Sequence, residues 1–246
     1  MRMTAYRIVL WFMSGVYPHL SSKVVGLLPM AGSGTRLNLP IPKPLVPTMS
    51  RSGVKPLYWH SYRRLRHITN DVRFVLTTLA MSDPCFDDLP GEIIEKPYKG
   101  ELPTSVGHVA KDLHPDTLLA VALPDSIWYP RDGFLLLLDY LEDHPWMDGA
   151  FALFEGDSRI LDEVVKDGAT GLVKSVYAHE PADAAPRTVS GWGAFIARAG
   201  ALKTLSDARP IGPQLGERNF GALLLGGPFY DLGTPERYAA HFAIDL

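Results

Sequence analysis

Cysteine is nearly absent. Cys85 is the one thiol in 246 residues, so an intrachain disulfide is excluded. No Cys/His group has the spacing of a zinc site. A chain without disulfides suits a reducing compartment, and a cytoplasmic location is the expectation. Cys85 has no His or other base beside it and reads as a buried or idle thiol rather than a nucleophile. Charge of one sign is missing too. Lys and Arg total 24 against 27 Asp and Glu, for a net charge of −3, and no segment concentrates positive charge. That excludes a dedicated nucleic-acid binder. No apolar run reaches the roughly 20 residues of a membrane-spanning helix, so no membrane partner is expected. The nearest is Ile8 to Val16, preceded by Arg2 and Arg7. It imitates the apolar part of a signal peptide but lacks a small-x-small cleavage site before Lys23. Residues 1–22 are therefore read as an N-terminal extension, either upstream of a true start at Met13 or packed on the domain. The domain proper is expected over 23–246.

What remains is an ordinary globular composition, 46% hydrophobic and 21% charged, with turn-rich Gly 22 and Pro 21. Strand-like and helix-like segments alternate from Lys23 onward. Val24 to Leu28, Val72 to Thr77, Glu92 to Glu95 and Leu118 to Leu123 read as strands, the last as a buried one. Gly149 to Phe154, Trp192 to Ile196 and Phe229 to Leu232 read likewise. Tyr58, Tyr62, Leu65 and Ile68 recur at helical spacing within 56–68, which leaves Arg63, Arg64 and Arg66 for a solvated face. Further helices are expected over 105–113, over 133–143 with Asp132 as N-cap, over 199–205, and from Pro235 with Thr234 as N-cap. Residues 155–189 read as a polar excursion. The alternation implies an α/β fold of three layers around a mostly parallel central sheet. Ligands then belong beyond the carboxyl ends of the strands, in the loops after Leu28, Leu123 and Tyr230.

The first of these loops reads Met30-Ala31-Gly32-Ser33-Gly34-Thr35-Arg36-Leu37, with Pro42-Lys43-Pro44-Leu45 after it. Glycines let main-chain N–H groups close around an anion, and Thr35 adds a hydroxyl. Arg36 can grip phosphate bidentately, and Lys43 adds a point charge seven residues on. Together they point to a polyphosphate. The loop is not a P-loop, since no Lys follows Gly34, nor a dinucleotide fingerprint, since Leu37 stands at the third glycine position. Asp125 and Asp231 each end a strand-like run near that edge, where carboxylates can hold Mg²⁺ together with phosphate oxygens.

Taken together, Leu28 to Leu37 with Pro42 to Leu45, Leu123-Pro124-Asp125-Ser126, and Phe229 to Glu236 resemble the nucleotidyltransferases that make nucleotide sugars. Glucose-1-phosphate thymidylyltransferases and uridylyltransferases are the nearest likeness. The resemblance implies a Rossmann-like fold and transfer of a nucleotidyl group from an NTP (dTTP or UTP) to a sugar 1-phosphate, releasing pyrophosphate. It implies Asp125 and Asp231 as Mg²⁺ ligands and Arg36 and Lys43 as catalytic groups. Ala31, Gly32, Ser33, Gly34 and Thr35 would hold the nucleotide. Gly107 is the better local match to the glycine turn that touches the base or sugar, with Gly100 the alternative by distance to Asp125. Trp192 and Gly193 are candidates for the sugar pocket, against the plainer reading of Trp192 as a core residue. With about ten residues after the last motif, a single activity is expected, without the left-handed β-helix domain of some bifunctional relatives. A homo-oligomer is left open.

The likeness also breaks. The family's Glu-Lys-Pro is represented by His179-Glu180-Pro181, with Glu180 where the acceptor lysine would fall, and Lys174 or His179 as unsupported substitutes. Ile94-Glu95-Lys96-Pro97 carries the tripeptide but precedes Asp125. Two other readings therefore stay open. One is a nucleotidyltransferase for phosphocholine or an isoprenoid precursor. The other is a nucleotide-binding regulatory protein that does not catalyse.

Overall fold

The computed structural model describes residues 23–30, 41–50, 53–96 and 101–244, with no side chains described for 242–244. The N-terminal extension and the glycine loop (Ala31, Gly32, Ser33, Gly34, Thr35 and Arg36) lie outside the described residues.

In chain order the elements are β1 (Val24–Pro29), a 3-10 turn (Lys43–Leu45), β2 (Pro47–Ser50), β3 (Gly53–Pro56), α1 (Tyr58–Leu65), β4 (Val72–Thr77), α2 (Thr78–Met81) and β5 (Glu92–Lys96). Then come α3 (Leu102–Lys111), β6 (Leu118–Ala122), β7 (Ser126–Trp128), α4 (Gly133–Asp143), β8 (Gly149–Asp157), β9 (Glu163–Lys166), β10 (Val173–Tyr177) and β11 (Thr188–Arg198). The chain continues through α5 (Ala199–Leu202), α6 (Ile211–Gly216), β12 (Phe220–Leu224), β13 (Phe229–Asp231) and α7 (Pro235–Ile244).

Among the described residues nine strands form the central sheet. β4 and β6 flank β1 in parallel, and β5 adds in parallel to β4. β11 runs antiparallel to β6, β8 and β9, which returns β8 and β9 to the direction of β1, and β12 is parallel to β8. In the sheet, β10 and β11 alone oppose the common direction. The carboxyl ends of the other strands therefore share one edge. Two small ladders lie outside it: the hairpin β2–β3, and β7 with β13.

Period-two burial explains the layers. In β6, Leu119 and Val121 join one apolar cluster while Leu118, Ala120 and Ala122 join the other. Buried side chains of α3, α5 and α6 complete the first cluster, around Phe151, Phe195 and Phe220. Those of α1 and α4 complete the second, around Phe74, Phe134 and Trp128. This is the expected helix–sheet–helix arrangement, with each face removed from water.

Four expectations need correction. Arg64 is not on a solvated face: it is 6% exposed. It lies over the Trp128 ring and donates to the carbonyls of His60 (2.6 Å) and Trp128. Its stem packs as an apolar side chain would, which its one-in-three spacing from Ser61 allowed but its charge disguised. Asp132 precedes α4 without capping it through its side chain. The 155–189 segment is more than an excursion, because it supplies β9 and β10 and buries Leu161, Val164, Val173 and Val176. Cys85 is exposed, not buried, and the neighbouring Asp83 carboxylate raises its thiol pKa. Thr234 does serve as the cap of α7, accepting from Arg237 N at 3.4 Å.

Candidate active site

The loop after β6 is fixed from beneath. Ser61, fully buried on α1, donates to the carbonyls of Leu123 (2.7 Å) and Ser126 (3.4 Å), and Ser126 Oγ donates to Leu123 O (3.2 Å). These bonds bracket Asp125. β13 then pairs with β7 so that Asp231 faces Ser126, and Leu232 N donates to Asp125 O at 3.0 Å. Two aspartates far apart in the chain thus become neighbours through a three-residue ladder. Leu57, Ile127 and Leu232 form a small apolar cluster under that ladder, with Tyr230 and Tyr238 packed against it.

Lys43 comes from the other side. Its 3-10 turn is tied to α1 by Leu57 N donating to Val46 O (2.9 Å), and Tyr238 Oη donates to the Pro47 carbonyl. The side chain is 8% exposed and its ammonium ion-pairs with Asp125. Asp231 accepts Gly233 N on Oδ1 (2.8 Å) and the Arg237 guanidinium on Oδ2. A Cβ added to Gly233 would lie 2.7 Å from Asp231 Oδ1 and 2.9 Å from Lys43 Nζ. Lys43, Asp125 and Asp231 therefore meet at one point on the carboxyl edge. Gly233 keeps that point open.

His60 clamps the hairpin that follows Lys43. Thr48 Oγ1 donates to Lys55 O (3.0 Å), so its contact with His60 Nε2 (2.8 Å) has the imidazole as donor. Burial, with Arg64, His241, Arg63 and Arg131 nearby, lowers the His60 pKa to about 4. An imidazole in the unfolded chain titrates near 6.5. Between those values the unfolded chain binds the extra proton and the native chain does not, so stability falls as pH drops from about 6.5 to about 4 and levels off below. The loss amounts to no more than about 3 kcal/mol after solvent screening. Urea denaturation at pH 7 and pH 4.5 should show it, and His60→Gln should flatten the difference.

The remaining sequence candidates lie farther out. Gly107 is inside α3 with its Cα toward the end of α5, where a Cβ would sit 3.2 Å from Leu205 O and 3.4 Å from Leu202 O. Trp192 is 8% exposed, packed against Phe151 and Phe195, with its indole N–H on Asp162 (3.3 Å). Gly193 leaves room for the Phe229 ring beside β11, and so helps position the strand that ends at Asp231. Glu180 accepts from Ser158 (2.8 Å) and Arg187 (2.8 Å). Lys96, fully buried at the end of β5, donates to Thr104 (2.5 Å) and Ser105 (3.1 Å), and burial lowers its pKa. Ser61 and Arg237, which brace Asp125 and Asp231, were missed from the sequence because no motif marks them.

Among the described residues no group of three or more His, Cys, Asp or Glu could hold a metal alone, and no helix is long and apolar enough to cross a membrane. The two aspartates nonetheless suit a hard divalent cation, since they offer carboxylate oxygens that already converge on a positive group.

No family model matches the chain, and no curated protein matches it in sequence. Solved structures do match in fold. HddC from Yersinia pseudotuberculosis superimposes with a TM-score of 0.67 at 18% identity, over 90% of this chain and 99% of that one. A Bacillus anthracis protein assigned as a glucose-1-phosphate thymidylyltransferase, in complex with sucrose, gives 0.66 at 16%, over 90% and 94%. UTP-bound UGPase from Acinetobacter baumannii gives 0.66 at 16%, over 92% and 94%. The chain thus shares with these structures a Rossmann-like α/β fold with a large and mostly parallel central sheet.

Proposed function

We propose that the protein is a Mg²⁺-dependent nucleotidyltransferase joining an NTP, dTTP or UTP, to a sugar 1-phosphate, with release of pyrophosphate. The observation that carries this reading is the meeting of Lys43, Asp125 and Asp231 at the carboxyl edge of the sheet, beside the strand from which the glycine loop departs. The fold neighbours agree with it, one assigned to a sugar 1-phosphate and another bound to UTP.

In this reading Arg36 and the N–H groups of Ala31 to Thr35 hold the β- and γ-phosphates. An oxygen of the acceptor phosphate attacks the α-phosphorus in line. The bond from that phosphorus to the bridging oxygen of the β-phosphate breaks, and pyrophosphate leaves. No general base is needed, because the nucleophile is already an anion. Lys43 stabilises charge that grows on the α-phosphate oxygens. Asp125 and Asp231 would hold Mg²⁺, which when bound supplies further charge neutralisation and orientation at the phosphates. Rigid placement accounts for the rest of the rate.

The test is pyrophosphate release from the full chain with Mg²⁺, using dTTP, UTP, CTP, GTP and ATP against a panel of sugar 1-phosphates and phosphocholine. Turnover with a sugar 1-phosphate supports the reading. Turnover with phosphocholine alone moves the acceptor class, and nucleotide binding without turnover selects a regulatory protein.

A further inference from the structure

In the proposed reaction an anionic acceptor needs a place beside Asp231, on the side of Asp125 away from β1. The sheet identifies that side. β1, which leads into the loop, neighbours β6 on one flank, and β11 followed by β8 lies on the other. β8 reaches the carboxyl edge at Asp157, and Arg159 follows two residues later. Arg159 Nε lies 3.0 Å from both oxygens of Asp157, and Arg159 N donates to the same carboxylate at 2.9 Å. The guanidinium is thereby oriented through Nε and Nη2, while its side chain stays one-third exposed (33%). Arg237, in the first turn of α7, puts one amino group on Asp231 and the other 3.5 Å from the main-chain oxygen of Arg159. Arg237 thus touches the main chain of Arg159 on one flank of a proposed metal carboxylate, and each guanidinium is held by a carboxylate, Asp157 or Asp231.

Arg159 and Arg237 each meet one carboxylate, whereas the other charges on that flank are more fully engaged. Arg187 is divided between Glu163 (2.9 Å) and Glu180 (2.8 Å), and Asp162 is taken by His179 and Trp192. Guanidinium groups offer planar forks that fit phosphate oxygens bidentately.

We infer that Arg159 and Arg237 form the binding site for the acceptor's phosphate monoester group, with Arg237 bridging that phosphate to Asp231. This rests on the nucleotidyl-transfer reading for its purpose but not for its test. Calorimetric titrations of the full chain with inorganic phosphate, glucose 1-phosphate and glucose serve as probes. Saturable binding of the two phosphates and none of glucose is expected. Arg159→Met and Arg237→Met should each weaken phosphate binding at least tenfold. Arg159→Lys, which keeps the charge and loses the fork, should fall between. Arg187→Met, on the same flank, should bind as the wild type does. Melting temperatures show whether each variant is folded, and the lysine variant keeps the test valid should the methionine variants unfold. Absence of phosphate binding by the wild type, or equal binding by the Arg159 and Arg187 variants, would overturn the site. A separate Mg·UTP titration of the wild type judges the parent reading: phosphate binding that depends on Arg159 without any nucleotide binding would sink that reading and leave this anion site standing.

Discussion

Asp125→Ala should lower pyrophosphate release by roughly 10³-fold or more, the scale expected when a metal ligand and its charge leave a phosphoryl-transfer site. The loss should fall on kcat, because the carboxylate acts on charge that develops in the transition state. The same variant should also be less stable. Lys43 is 8% exposed and its ammonium ion-pairs with Asp125, so removing the carboxylate leaves a mostly buried charge without that partner. Asp125 itself retains 24% side-chain exposure, so the cost should be roughly 1–3 kcal/mol rather than that of a fully buried pair. The double variant Lys43→Met/Asp125→Ala separates the two effects. It should recover most of the stability and none of the activity. Coupling of this kind is expected only between residues in contact. Unchanged turnover in Asp125→Ala would remove the residue from the mechanism.

The parts of the site legible in the sequence share one property: each follows a strand that is recognisable alone. Val72 to Thr77 was readable residue for residue as β4, because its β-branched and aromatic residues, apolar but for Arg73 and Thr77, suit a strand. Leu118 to Ala122 and the start of β13 were equally plain, and they carry Asp125 and Asp231 to the same edge. Their contact depends on the β7–β13 ladder, whose residues sit about a hundred positions apart and pair over three residues. No local pattern announces such a pairing. The same limit hid Ser61, whose hydroxyl braces the Asp125 turn through two carbonyls, and Arg237, which reaches Asp231 from the first turn of α7 and which no motif marks. α6 was missed for a different reason. Its sequence, Ile211 to Gly216, contains two glycines and a proline, all poor helix formers. Close packing selects them: a Cβ at Gly212 would lie 2.8 Å from Val176 and 2.9 Å from the Trp192 indole nitrogen.

Gly193→Ala should impair the proposed activity by a route that never touches substrate. A Cβ at this position would fall within the Phe229 ring's contact shell, 2.7 Å from Cδ2, and 3.0 Å from Phe154 Cε2. Real Cβ atoms do not approach so closely, so the ring must move. Phe229 is paired with Trp128 in the β7–β13 ladder, two residues before Asp231, and its ring packs on Phe154 at 5.1 Å between centroids. Displacing it shifts the strand that brings Asp231 to Lys43. Overpacking should cost roughly 1–3 kcal/mol in urea denaturation. A shift on the order of 1 Å at Asp231 should lower kcat on the order of 10²-fold. The discriminating variant is Gly193→Ala/Phe229→Leu, in which the smaller side chain makes room for the new methyl. It should regain most of the lost activity, although Phe229→Leu alone removes ring contacts and offers no benefit. If Gly193 instead lines the sugar pocket, the loss would appear as a higher KM for the acceptor, and trimming Phe229 would not reverse it.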